Sequence, residues 1–375
     1  MDKASTGELF RIFTRLSVVS FGGPAAHIAL IRDEAVDRRK WFDDQRFLDM
    51  VGLTNLIPGP NSTEMAMHIG HDRAGWRGLL VAGSSFILPA SLIALAFAWA
   101  FRTFGQTPAG ESLLRGIKPV VVVIVIQALV KLLGIAIKGW VTGFITVAAV
   151  AAYLFGVNEL LILGAGTAMV VGLRLLFGSG MLLLAADLPA LLGQNSETGL
   201  IDLGRLFLVF LKAGAFLYGS GYVLAAFLHN DLVVNWAVLS ETTLLDAIAI
   251  GQMLPGPLFT TATFIGFYLA GVPGAIIATT AIFLPSFIFV GAIARMGSFI
   301  RERPRAAIFL DGVNAASLGL MVGVTWQLAD QGVNDILTLV LAGTAALALW
   351  KTRLNPALLI IAGGSIGVLA GAIGV

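Results

Sequence analysis

The chain has 375 residues, 57% of them hydrophobic and 12% charged, and its apolar stretches recur from end to end, which marks a polytopic membrane protein without a soluble domain large enough to own a core. Cysteine is absent, which excludes disulfides, thiol catalysis and Cys-based metal or iron–sulfur sites. The formal net charge of +2 excludes little, because the placement of charge along such a chain matters more than its sum.

A hydrocarbon core of roughly 30 Å needs about 20 apolar residues per helix. Stretches of that length predict ten spans, at 10–31, 78–101, 119–137, 139–156, 159–177, 206–228, 272–294, 307–329, 333–350 and 355–375. The first lacks an A-x-A-like cleavage site and runs on past Gly23 into "PAAHIALI", so it is expected to stay as a span. It carries a break at "SFGGPAAHIAL", where Gly22-Gly23 precede Pro24. Next comes 45–72, around "NLIPGPNSTEMAMHIG", with Asp49, Asn55, Asn61, Glu64 and His68. That is too polar for a lipid-facing helix and predicts a broken hairpin that enters and leaves on one side. After the spans to 177, a linker at 179–202 includes "GQNSETG". The span at 206–228 is broken again at "LYGSGYVLAAF", by Gly219-Ser220-Gly221, and a second hairpin follows at "QMLPGPLFTTATFIG".

The chain contains itself twice. An offset of 197 places Pro58-Gly59-Pro60 on Pro255-Gly256-Pro257, Phe13 on Phe210, Arg15 on Lys212, Asp49 on Asp246 and Asn55 on Gln252. One gap then changes the offset to 196, which places Gly70 on Gly266, Ala74-Gly75 on Ala270-Gly271, Gly78 on Gly274, Pro89 on Pro285 and Gly116 on Gly312. The predicted organisation is an N-terminal repeat at 1–178, a linker at 179–202 and a C-terminal repeat at 203–375. Each repeat crosses five times, an odd number, so the second is expected upside down. Charge agrees when both termini are placed outside: of 24 Lys and Arg, only Lys3, Arg11, Arg102, Arg115 and Lys118 then lie outside, and Arg15, Lys131 and Lys212 fall within spans. The expected fold is an all-α polytopic membrane protein of two inverted repeats, with ten spans and two broken, re-entrant helical hairpins.

Pro60 and Pro257 suit the first position of a helix, where a missing N–H has no partner to lose, and the glycine before each lets the chain turn sharply. Each P-G-P therefore begins a half-helix whose first-turn amides and positive dipole end can hold an anion. Irregular backbone at membrane depth is tolerated only when buried in protein or lining a wet cavity, so the breaks point to a site. The candidate anion-binding residues are Gly22, Gly23, Pro24, Asn55, Gly59, Pro60, Asn61, Ser62, Thr63, Gly219, Ser220, Gly221, Gln252, Gly256, Pro257, Thr260 and Thr261. Among them, Asn55, Asn61, Ser62, Thr63, Gln252, Thr260 and Thr261 are neutral hydrogen-bond donors, able to bind a dianion and release it. Arg15 and Lys212 either lend positive potential to the pathway or snorkel to an interface. Arg32, in "RDEAVDRRKWFDDQR", lies on a solvated inner loop that sets topology and can also attract anions to the cytoplasmic mouth.

The stretches "FGGPAAHIALIRDEAVDRRKW", "PGPNSTEMAMHIGHDRAGWRG", "PGPLFTTATFIGFYLAG" and "ATTAIFLPSFIFVG" resemble the chromate ion transporters of the CHR superfamily, in the long form made of two fused halves. The resemblance is collinear over nearly the whole chain. It implies a multi-pass carrier of the cytoplasmic (inner) membrane that exports chromate, a tetrahedral dianion shaped much like sulfate, using the proton motive force. The second half departs from the first in having Gly219-Ser220-Gly221 at the position of G-G-P.

Proton coupling requires a titratable group near the anion. Glu64 lies one turn into the first half-helix, and its repeat partner is Thr261. An ionised Glu64 and a bound dianion would compete for one helix end; the alternative is that Glu64 pairs with a basic residue. His27 is a second coupling candidate, set against a hydrogen-bonded structural histidine. His68 and His71 lack a third strong ligand, so no metal is expected, and neither is a cofactor or nucleic acid. No phosphate-binding G-x-x-x-x-G-K-[ST] is present. No nucleophile, base or metal constellation converges, so an enzyme is not expected. The expected partners are chromate or sulfate, protons and the lipid bilayer, with a homodimer left open.

Overall fold

The computed structural model describes residues 4–21, 24–54, 57–105, 107–176, 201–217, 224–296, 304–352, 354 and 356–373. Its first half contains α1 (Thr6–Val19), α2 (Pro24–Arg32), α3 (Asp44–Thr54), α4 (Asn61–Phe104), α5 (Pro108–Ala136), α6 (Trp140–Leu154) and α7 (Glu159–Leu176). The second contains α8 (Leu203–Phe216), α9 (Leu224–Leu228), α10 (Glu241–Met253), α11 (Thr261–Met296), α12 (Pro304–Gly332), α13 (Ile336–Lys351) and α14 (Pro356–Ala372). No strand occurs among the described residues. Helix starts are chemically marked: Ser5, Asp202, Ser240 and Asp335 each accept a first-turn amide through the side chain.

α4 and α11 are helical hairpins rather than straight rods. At Ala74 and Gly75 the backbone leaves the helix, with φ of −142° and +61°. The residue before the bend packs tightly against the one after it: a Cβ on Gly70 would strike the Gly78 carbonyl and Ala82. α11 repeats this at Ala270 and Gly271, with φ of −137° and +63° and Gly266 against Gly274. Only glycine reaches a positive φ without strain, which is why the second position of each bend is glycine. Arg46, near the start of α3, donates to Asp72 at 3.1 Å, at the end of the first leg of α4. So α3 and that leg run side by side with their open ends together and their tip at Pro58-Gly59-Pro60.

Other backbone features recur at the repeat offset. A π-helical segment at Asp33–Arg38 has its counterpart at His229–Asn235, and Lys40 (φ +52°) is matched by Ala237 (φ +51°). The halves are interlaced. α5 packs on α13 and α14, and α12 packs on α6 and α7. These contacts are made through small residues that let backbones touch, Gly116 against Gly363 and Gly367, and Gly312 against Gly166 and Thr167.

Three described stretches, Asn61–Phe104, Pro108–Gly134 and Leu258–Arg295, are long and apolar enough to cross a membrane. The ten spans read from hydropathy are not all single long helices. The first span of each half is divided into α1 with α2 and α8 with α9, and α6, α7, α13 and α14 have 15–18 residues. Hydropathy is blind to a backbone break inside an apolar run. The linker around "GQNSETG" lies outside the described residues.

Candidate anion site at the crossed helix breaks

Each P-G-P glycine takes a conformation that side chains resist, φ +137° at Gly59 and +87° at Gly256. The turn aims the glycine N–H away from its own half. Gly59 N–H donates to the Leu217 carbonyl at 2.8 Å, and Gly256 N–H donates to the Ser20 carbonyl at 2.9 Å. Ser20 and Leu217 cap the C-termini of α1 and α8, and they correspond at an offset of 197. The tip of each hairpin thus hangs from the break in the other half's first span, and the breaks are brought together in two crossed pairs.

Space at both tips is fully used. A Cβ on Gly59 would meet the Glu64 carboxyl and lie 2.5 Å from Ser286 Oγ; one on Gly256 would strike Ala90 and lie 3.3 Å from the Ser17 carbonyl. Pro60 and Pro257 stand one position earlier than expected, as N-caps with extended backbone (ψ 95° and 133°). The P-G-P forms the turn itself, so α4 begins only at Asn61. The second half inserts a 3₁₀ turn, Leu258–Thr260, before α11 starts at Thr261.

The polar groups at the tips fall into two sets. Thr260 Oγ1 donates to the Pro257 carbonyl and Thr261 Oγ1 to the Leu258 carbonyl, both at 2.8 Å, so their protons are engaged. Ser17, Ser20 and Thr63 are wholly buried, and their hydroxyls have no partner among the described residues. A buried hydroxyl without a partner costs free energy; Ser17 and Ser20 lie at the break that holds the Gly256 tip, and Thr63 lies in the first turn after the Gly59 tip. Ser17 and Ser20 were missed from the sequence. Their only signal is their spacing of three, one helical turn, just ahead of G-G-P.

Glu64 is fully buried. Ser286 donates to its Oε1 at 3.1 Å from the other half, while Oε2 has no partner among the described residues. No cation among the described residues pairs with it, so the ion-paired alternative for Glu64 finds no partner there. Ser286 also went unread; it follows Pro285, and its repeat position is Ala90. His27 Nδ1 lies 3.2 Å from Ser62 Oγ, and its ring meets Phe86 edge-on at 6.1 Å. It is a hydrogen-bonded wall residue of the same cluster.

Arg15 and Lys212 are both committed to carboxylates. Arg15 pairs with Glu34, which Arg39 also holds at 2.7 Å, and Arg39 binds Glu8. Lys212 lies 2.8 Å from Glu159 and 2.5 Å from Asp231. The partners come from other elements, and spacing alone does not reveal them. Arg32 is exposed and pairs with Asp37 at 2.8 Å and with Asp44. Pro24 opens α2 as expected, and Gln252 lines a small cavity with Thr261. Gly22, Gly23, Asn55, Gly219, Ser220 and Gly221 lie outside the described residues.

The family model described as "Chromate transporter" matches the chain twice, over residues 7–173 and 204–368. The chain is 31% identical over 371 residues to the chromate transport protein of Cupriavidus metallidurans, covering 97% of this chain and 92% of that protein. It is 30% identical to the chromate transport protein of Pseudomonas aeruginosa (96% and 92% covered) and 28% identical to the probable chromate transport protein of Synechococcus elongatus (97% and 95%). No solved structure matches it. With two copies of the family's domain in tandem and near full-length coverage of these relatives, the chain belongs to the chromate transporter family.

Proposed function

We propose that the protein exports chromate across the cytoplasmic membrane in exchange for protons, binding the anion where the two hairpin tips cross. The observation that carries this reading is the set of buried hydroxyls of Ser17, Ser20 and Thr63, unpartnered among the described residues, beside two P-G-P turns. A tetrahedral dianion accepts hydrogen bonds in every direction, and neutral donors with helix-start amides stabilise it without trapping it. The halves, 1–178 and 203–375, sit in the membrane with opposite orientation as ten spans and two re-entrant hairpins. Lys and Arg placement and the two-fold exchange at Gly59 and Gly256 support that arrangement.

Glu64 is the coupling group. Its carboxyl lies against Gly59 at the start of its own helix, where the anion also finds its most positive backbone. A bound dianion and a carboxylate repel each other there, so occupancy by the anion and the charge on Glu64 are linked, and the pH gradient acts on anion flux through that linkage. His27 fixes Ser62 beside it.

The donors count oxygens and charge, and none addresses the metal centre, so sulfate is the second reading. Uptake of labelled chromate and of sulfate into inside-out vesicles, with and without a pH gradient, separates the two. Proton-coupled export predicts chromate uptake that collapses with the gradient, and Glu64→Gln should retain binding but lose the gradient's effect. Unchanged coupling in that variant removes Glu64 from the mechanism.

A further inference from the structure

Away from the crossed tips, a cavity of about 860 Å³ opens where α5 and α10 begin and α12 ends. Its wall carries Arg102, Glu111, Arg115 and Asp335, the last two paired at 2.9 Å. Its floor is an ion pair, Lys118 Nζ to Asp246 Oδ1 at 3.0 Å, with side chains only 19% and 9% exposed. Beneath that pair the same three helices, with α9 and the start of α11, enclose a second cavity of about 20 Å³, bounded by Val125, Gln252, Leu328 and Thr261. Val125 stands two turns beyond Lys118 along α5, and Gln252 lies ~9 Å beyond Asp246 along α10. The gap between is filled by Val122 and Leu245, which close around Gly332. The lower cavity holds about one water. One ion pair and one apolar layer therefore separate an open vestibule from the second P-G-P tip.

We propose that Lys118 is the docking point for the oxyanion between the vestibule and the second hairpin, and that Asp246 occupies its ammonium when no anion is bound. This rests on the reading that the protein carries an oxyanion. A dianion brings twice the charge of a carboxylate to the same ammonium, and a buried ion pair is close to break-even against its desolvation cost, so exchange of partners is accessible. Asp246 released from Lys118 leaves α10 without its tie to α5, and α10 leads directly into the P-G-P turn. The lysine is not repeated: Asp246 repeats Asp49, but Lys118 repeats Asn314. The repeat therefore has an ammonium at this position in the first half and an uncharged amide at the matching one in the second.

The absence of cysteine permits a direct test, because Gln252→Cys is then the sole thiol of the full chain. In proteoliposomes, its labelling by cationic and by anionic methanethiosulfonates should be slow with Asp246 present. Asp246→Asn should speed both by about tenfold, equivalent to ~1.4 kcal/mol of gate stability. Sulfate, which matches chromate in shape and charge without oxidising thiols, should accelerate labelling in the Lys118 parent and not in Lys118→Gln. Thr243→Cys, in the vestibule wall, should label readily in every background and reports that each variant is folded. Equal labelling of Gln252→Cys with and without Asp246→Asn, or a sulfate effect that is absent in the parent or survives Lys118→Gln, overturns the proposal. Failure of chromate flux with these labelling results intact would count against chromate as cargo and leave the docking role standing.

Discussion

At the scale of single residues, the candidate anion site holds several buried hydroxyls that are left unsatisfied among the described residues. Proteins normally partner buried hydroxyls, yet Ser17, Ser20 and Thr63, with Thr14, Ser91 and Ser317, find no partner among the described residues, while Thr260 and Thr261 do. Ser17→Ala with Ser20→Ala is therefore expected to leave thermal unfolding in detergent unchanged or slightly improved, since no hydrogen bond is lost from the empty protein. The same change should raise the KM for transported anion by about tenfold per hydroxyl, the value of one hydrogen bond of ~1.5 kcal/mol to a charged ligand. A loss of stability without a change in KM would make the two serines structural. The backbone part of this site was legible in the sequence, because P-G-P leaves the chain few conformations. Ser17, Ser20 and Ser286 were not, since a serine in an apolar helix reads the same whether it faces lipid, a carbonyl or an empty pocket.

At the scale of elements, the repeat that appears in the sequence as two offsets returns as matched backbone torsions: the bends at Gly75 and Gly271, the π segments, and the turns at Lys40 and Ala237. The ion pairs do not follow it. Glu34 in the first half is shared by Arg15 and Arg39, whereas in the second half Lys212 is the one cation shown pairing with Glu159 and Asp231, and Asn230 also donates to Glu159. Lys212→Met should cost about 3–5 kcal/mol of stability, because two nearly buried carboxylates lose their one ammonium. Arg15→Met should cost clearly less, since Glu34 keeps Arg39. Chemical or thermal unfolding of the two variants side by side checks the order; equal losses would mean that the second cluster is hydrated or already protonated. The charged residues of both clusters are visible in the sequence, but their pairing joins α1 to the segment after α2, and α8 to α7, which no local pattern encodes.

At the scale of the whole molecule, the two sequence halves do not correspond to two bodies. α5 lies on α13 and α14, α12 lies on α6 and α7, and the hairpin tips exchange places. Residues 1–178 expressed alone lack the surfaces that bury α5, and 203–375 alone lack those that bury α12. Neither piece should yield a cooperatively unfolding protein, whereas co-expression should give a complex that co-purifies through a tag on one piece and runs as a single species on size exclusion. A stable, monodisperse N-terminal piece would contradict the crossed packing. The duplication itself was readable in the sequence, and the interlacing was not: self-similarity reveals that two units exist but carries no record of which unit a helix packs on.

The two backbone hydrogen bonds from Gly59 to Leu217 and from Gly256 to Ser20 turn that interlacing into a linkage of motion. Neither hairpin can withdraw from the centre without tugging the opposite half's first helix, and that helix leads to the mirror-related tip. A leak needs both ends slack at once. The crossed tethers make such a state the hardest to reach, so the two hairpins are expected to move as coupled arms rather than independently.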